Sequence, residues 1–469
     1  MPAIITDPFK KQLAQTVFDE VTNVTNRYYI GIGRSESWDS SETVPTPTDT
    51  PRTIRNVRAG LQSIKSASDV SYVIPRYNWS SGSIYQGYDD DFVNIPDTNP
   101  YAILTEDNQV YICLQGAKNS AGTATTSTIK PSGTTTKPFK TSDGYVWKYL
   151  YSLSAARASA FLSANFVPVE KVLDSSRANI LVEPDPLTAL ELLQTLVQDS
   201  AVPGQVIGVA VTAGGSGYDP SSPPTVTING DGIRASATAT ISGGAVTKIE
   251  LDSSTDSAMT MGQGYNFASV AITGGGGSGA EARAILGPAA GIGADPRDDL
   301  KSTSLMFNAK PNGIEDSNFV VDQDFRQVAL IRDPNNTSDS AADGPPFTTS
   351  SGKVLRFLKL TAAANVNFLD TTITGAPSGA QAIVDEVDSD RLFFHQTEAT
   401  GFKPFAEADT ITGGGVSGTL VAEGVDTDSD AFTRDDVDKL SGRIVYIENR
   451  APVTRSANQQ EDIKVVISL

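Results

Sequence analysis

One histidine and one cysteine in 469 residues leave little for the commonest catalytic chemistries. A serine or cysteine hydrolase needs an imidazole beside its nucleophile, and a Cys/His zinc site needs several such ligands. His395 stands in the strand-like run "RLFFHQTEATGF" and reads as a half-buried or exposed sheet histidine. Cys113 lies in "QVYICLQG", where a small thiol packs inside an apolar strand and stays inert. A lone cysteine excludes an intrachain disulfide and gives no sign of an oxidising compartment. Basic residues are also few. Lys and Arg number 36 against 55 Asp and Glu, and the formal charge of -19 repels a phosphate backbone, so nucleic acid is not an expected partner. No run of about 18 apolar residues occurs, which argues against membrane insertion. The amino-terminal "MPAIITDPFKKQ" has neither the apolar core nor the cleavage pattern of a signal peptide, so the chain reads as soluble and made in a cytoplasm.

What is plentiful points to sheets. Gly (40), Pro (26) and abundant Ser and Thr make turns and strands, while long Ala/Leu/Glu/Lys runs are scarce. The expected class is α+β, predominantly β, with several β-sandwich-like domains and a few helices near the amino-terminal part. In "DPFKKQLAQTVFDEVTN", Asp7 is the expected N-cap and Pro8 the first helical residue, with Phe9, Leu13, Val17 and Val21 forming a core-facing stripe. "DPLTALELLQTLVQDS" repeats the device with Asp185, Pro186 and the stripe Leu190, Leu193 and Val197. A short helix is expected around Phe161. "VSYVIPRYNW", "NPYAIL", "QVYICL" and "DGYVWKYLYSL" read as strands, and the Ser/Thr-rich residues 116–142 as an exposed loop.

From residue 205 the texture changes to a repeat of about forty-five residues. Gly217-Tyr218 aligns with Gly264-Tyr265, Val226 and Ile228 with Val270 and Ile272, and Ala235/Ala237/Ala239 with Ala280/Ala282/Ala284. Small residues at alternate positions predict closely approaching strands. A second pair, "FLDTTITGAPSGAQAIV" and "FAEADTITGGGVSGTLVA", predicts another small β unit over 353–425.

Candidate sites thin out on inspection. "GRSES" at Gly33–Ser37 nearly matches a nucleophile elbow, but Ser37 replaces the glycine that the sharp turn needs. "GGSGYDPS" at Gly214 departs from the calcium nonapeptide at Ser221, and Asp89, Asp90 and Asp91 read as a solvent-facing turn. "NGDGIR" around Asp231 is a turn. No catalytic residue, metal site or cofactor is expected. There remain three tryptophans in "GRSESW" (Trp38), "VIPRYNW" (Trp79) and "DGYVWKYL" (Trp147), the first two preceded by Arg34 and Arg76. Alone, they read as core-edge anchors whose guanidinium groups stack on rings or pair with carboxylates such as Glu36.

Those blocks, with "DFRQVALIRDP" (Arg326) and the terminal "SGRIVYIENRAPVTRSANQQEDIKVVISL", resemble in order the homodimeric baseplate wedge subunit of T-even-type contractile-tailed bacteriophages. In the terminal block Gly442, Tyr446, Glu448, Asn449, Arg450 and Pro452 fall in register with the family pattern. The resemblance implies a structural virion protein of the tail baseplate, not an enzyme. It would pair with itself and join other wedge subunits to peripheral, fibre-associated proteins, with Arg34, Glu36, Trp38, Arg76, Trp79, Trp147, Arg326, Tyr446, Glu448, Asn449 and Arg450 as packing or interface residues. The Gly-rich stretches have no counterpart in that family. The expected division is therefore a wedge-like core over 1–204, 291–352 and 426–469, with inserts at 205–290 and 353–425. The repeats alone suggest the alternative of a glycan-binding, adhesin-like tail protein, which would expose aromatic faces, for which the repeats offer only Tyr218, Tyr265 and a few phenylalanines.

Overall fold

A computed structural model describes residues 3–23, 27–67, 69–173, 188–252, 260–337, 344–422, 432–433 and 436–469. Among them the chain is α+β and mostly β, as its composition implies. No helix is long and apolar enough to cross a membrane among the described residues. Helices α1 (Asp7–Asn23), α2 (Pro51–Ala59), α3 (Ala155–Phe161) and α4 (Ala189–Asp199) are joined by a single turn, α5 (Pro296–Asp299). The chain forms two compact units. One comprises Met1–Ala14, Ser71–Leu305 and Ser468–Leu469, the other Gln15–Val70 and Met306–Ile467.

In the first unit, strands Ala102–Leu104, Gln109–Gln115, Val146–Ser152 and Phe139–Lys140 lie side by side in that order. Tyr85, Tyr111, Tyr145, Trp147 and Tyr149 pack around Cys113, which is fully buried; burial pushes its thiol far above the usual range. Residues 116–142 are largely exposed as expected, yet Asp143 pins them by accepting the Thr128 and Ile129 amides at 2.8 and 2.9 Å.

The helices differ from the sequence reading. The Thr6 carbonyl accepts from Phe9 and Lys10, so the cap is one residue earlier than Asp7. In α4 the cap is Thr188, in a reciprocal box with Glu191; Asp185 and Pro186 lie outside the described residues. The stripes also differ. Phe9 and Leu13 are exposed, with Val21 the buried end of that stripe, and in α4 Val197 is buried while Leu190 and Leu193 are only partly covered. Gln194 and Gln198 point inward instead, because main-chain groups at Glu170, Val172 and Ala294 need partners and leucine has none to offer.

The first Gly-rich stretch forms its own β module. Among the described residues, its strands from Val206 to Leu286 pair only with one another, and Leu286 sits opposite Val206, so the module begins and ends at one place. Val226 faces Ile272 and Ile228 faces Val270, which makes the two repeats neighbours across a pseudo-twofold. The Tyr218 hydroxyl accepts the Ala280 amide at 3.3 Å and the Tyr265 hydroxyl accepts the Ala235 amide at 3.4 Å. Each repeat's tyrosine thus serves the other repeat's alanine. Gly277 and Gly232 are required beneath those rings, since a Cβ there would meet ring atoms of Tyr218 and Tyr265 at 2.5 and 2.3 Å.

In the second unit, strands Ser351–Lys353, Leu61–Ser66, Tyr28–Gly33, Asp324–Arg332 and Arg443–Thr454 make a five-stranded sheet in that order. Tyr29, Leu61, Ile64, Ile331 and Phe347 form its core under α2 residue Val57. A seven-stranded antiparallel sheet holds the second insert, where Thr374 of one T-I-T-G copy pairs with Thr412 of the other. This sheet extends from Arg356 to Thr433, slightly past the expected boundary at 425. Near the carboxy terminus, Ile463 and Val465 of strand Ile463–Ser468 are buried. Buried Arg455 braces the preceding turn by donating to Val320 O, Gly313 O and Glu461.

Candidate functional site

The motif blocks of the second unit converge on the loop that leaves Tyr28–Gly33. Arg34 turns the chain there with a φ of 63°, a conformation that costs an L-residue energy and that its side chain offsets by stacking on Trp38 at 4.1 Å. The Trp38 indole donates to Arg450 O at 2.8 Å. Arg326, 6 % exposed, donates to both oxygens of Glu42 at 3.1 and 3.0 Å and also to Ser35 O. Gln327 donates to Asn449 at 2.7 Å, and Asn449 donates to Pro45 O at 2.9 Å. Adjacent strands Asp324–Arg332 and Arg443–Thr454 therefore hold the loop through side chains that the sequence places far apart.

Beneath the loop lies a charge network. His395 is 1 % exposed, correcting the expectation of a half-buried or exposed ring. A strand beside the loop brings it inward, and two carboxylates make the burial tolerable: Nδ1 donates to Asp385 Oδ2 at 2.5 Å and Nε2 stands 3.1 Å from Glu36 Oε1. Burial alone would favour the neutral ring, but Asp385 and Glu36 outweigh it and raise its pKa to about 10. Burial would likewise raise the Glu36 carboxyl; the imidazolium, a backbone amide and Arg34 hold it below the usual carboxylate range. Asp385 Oδ1 receives the Ser35 hydroxyl at 2.7 Å and the Gln62 amide at 3.0 Å.

This order of groups is wrong for a serine nucleophile. Ser35 donates to a carboxylate, and both imidazole nitrogens face carboxylates, so no imidazole contacts the hydroxyl to take its proton. The network is a clamp tying the loop to the second sheet. Beside it an open cleft of about 560 Å³ is lined by Arg34, Trp38, Asn56, Gln327, Glu398 and Asn449.

Other sequence-named residues fall elsewhere. Arg76 donates to Asn78 at 2.9 Å and Ser163 O at 2.7 Å, not to a ring or carboxylate as expected. Trp79 is partly buried and donates to Ser127 at 3.2 Å, while Trp147 is wholly buried. Tyr446 donates to Glu448 at 3.2 Å, and Arg450 lies 4.0 Å from the same carboxylate. Burial first, then Glu448, raises the Tyr446 phenol to about 12. Asp89, Asp90 and Asp91 come close enough together to suggest a cation site. Arg283 occupies that place, at 2.5, 2.7 and 2.9 Å from the three carboxylates.

Asp385, Gln62 and Glu42 escaped the sequence reading. The available signal was an aspartate in the apolar strand "QAIVDEVD", whose period-two alternation is broken there by a bulge between Val384 and Glu386 that leaves both Val384 and Asp385 buried. Neither a known protein family nor a curated protein sequence matches the chain.

Proposed function

We propose that this chain is a structural subunit of a contractile phage tail, a baseplate wedge protein that acts as a homodimer and links inner wedge proteins to peripheral, fibre-associated ones. The observation that carries the reading is the ordered resemblance of "GRSESW", "DFRQVALIRDP" and the terminal block. Support comes from the way Arg34, Trp38, Arg326, Asn449 and Arg450 of those separate blocks interlock around one loop. A virion protein that carries load gains from such cross-strand ties, and a buried ion clamp suits rigidity rather than turnover. The glycan-binding alternative draws no support from Tyr218 and Tyr265, each 5 % exposed; among the module's aromatic side chains, Phe267, 78 % exposed, is the ring left facing solvent.

The test is a density map of purified tails from the virus encoding this chain. Paired copies in each wedge of the tail-tip plate are expected. A chain missing from purified virions, or found outside the baseplate, refutes the reading.

A further inference from the structure

Two ionisable side chains are sealed inside the first unit, and neither has an ion-pair partner among the described residues. Lys148, on the inner strand Val146–Ser152, is 3 % exposed, and Asp299, the last residue of α5, is wholly buried. Both rest on one stretch of chain. Lys148 Nζ donates to Ile292 O at 2.6 Å, and Asp299 Oδ2 accepts the Gly293 amide at 2.7 Å. Asp299 Oδ1 has no hydrogen-bond partner among the described residues. The other charges nearby are already committed, Asp298 to Lys11 and Asp295 to Lys171 and Arg297. Gly293 leaves the lysine room to swing, since a Cβ there would lie 3.0 Å from Lys148 Cε and 3.1 Å from Nζ.

Two separate charges in a dry interior are costly, and passing one proton from the amine to the carboxyl removes both. Burial, the leading cause in each case, lowers the Lys148 amine to about 8 and raises the Asp299 carboxyl to about 8, which brings the uncharged pair within reach near neutral pH. An uncharged amine is a nucleophile, and an uncharged carboxyl can accept it. We infer that Lys148 and Asp299 condense into an intramolecular isopeptide bond. The Lys148 lone pair attacks Asp299 Cγ, the Cγ–Oδ1 bond breaks, and Oδ1 leaves as water with the carboxyl proton and one amine proton. Nothing is oxidised or reduced. The product can keep both hydrogen bonds already made, its N–H donating to Ile292 O and its carbonyl Oδ2 accepting the Gly293 amide. What departs is the oxygen that has no partner, with two lysine hydrogens that Ile292 O does not receive. The bond closes a loop that contains the whole Gly-rich module and staples together the two stretches of chain that flank it.

The experiment weighs the full chain by mass spectrometry after it has been purified, held folded near neutral pH for a day and then denatured. Wild type should be lighter than the sum of its residues by the mass of one water. Trypsin should release a branched peptide joining the segments around Lys148 and Asp299, with no cleavage after Lys148. Lys148→Met and Asp299→Ala should each restore the full mass and abolish the branch. Because the branched peptide is read on wild type, a variant that fails to fold does not blunt the test. Wild type at full mass overturns the inference. So does a lost water traced to a cyclised aspartate, which gives the same mass without a branch.

Discussion

Replacing His395 by glutamine removes the cation that stands between Asp385 and Glu36 and leaves a buried and a partly buried carboxylate facing each other. The ring titrates at about 10 in the folded chain against 6.5 in the unfolded one. A raised folded pKa adds stability that is complete below pH 6.5 and is lost as the pH climbs through 10. At roughly 1.4 kcal/mol per pH unit, the full effect is about 5 kcal/mol, with about 3 kcal/mol remaining near pH 7.5. Breaking a buried ion pair from one side typically costs about 3–5 kcal/mol, the same size. The assay is urea unfolding followed by Trp38 fluorescence, in a background where Trp79 and Trp147 are phenylalanine so that only the second unit reports. The wild-type midpoint should fall between pH 6.5 and 10, while His395→Gln should start lower and change little. Parallel pH profiles for the two proteins would refute the claim that the buried imidazolium holds this unit together.

Deleting 205–287 and bridging the ends with a short linker should leave a soluble chain with cooperative unfolding, because Val206 and Leu286 are neighbours; a broad, non-cooperative melt would show that the module is part of the core. Ser35→Ala should create no loss of assembly and abolish no activity, but should cost about 1–3 kcal/mol by leaving Asp385 short of a donor; any Ser35-dependent esterase activity in pure protein would contradict the geometry. Trp38→Ala should cost about 2–3 kcal/mol, less than a fully buried ring, because Trp38 is partly exposed and acts through Arg34 and Arg450; equilibrium unfolding measures it. Truncation after Arg450 removes Arg455, Ile463 and Val465 and should yield insoluble protein, whereas an intact melting profile would show the last strand to be dispensable.

The sequence made some of this legible and hid the rest for physical reasons. Strand texture, the helix around Phe161 and both internal repeats could be read because turn residues and period-two alternation are local signals. The pairing of one repeat with the other follows from that alignment. Helix faces were misread where tertiary demands override amphipathicity: in α4 the glutamines are inside because unpaired main-chain groups wait for them. His395 could not be placed from its own strand. Its burial depends on Glu36, some 360 positions earlier, and on Asp385 across a bulge, and no spacing rule connects them. Asp90 and Asp91 are exposed, as their run of charge implies; what stayed hidden is the pairing of all three aspartates with Arg283, which is distant in the chain.

The exchanged tyrosines of the β module have a consequence for how such a unit fails. Neither half is complete: Tyr218 bonds only within reach of Ala280, and Tyr265 only within reach of Ala235. The same arithmetic predicts that a fragment carrying one half is obligately dimeric, and that two copies of the chain held close together can trade halves into a linked pair without breaking any local rule of the fold.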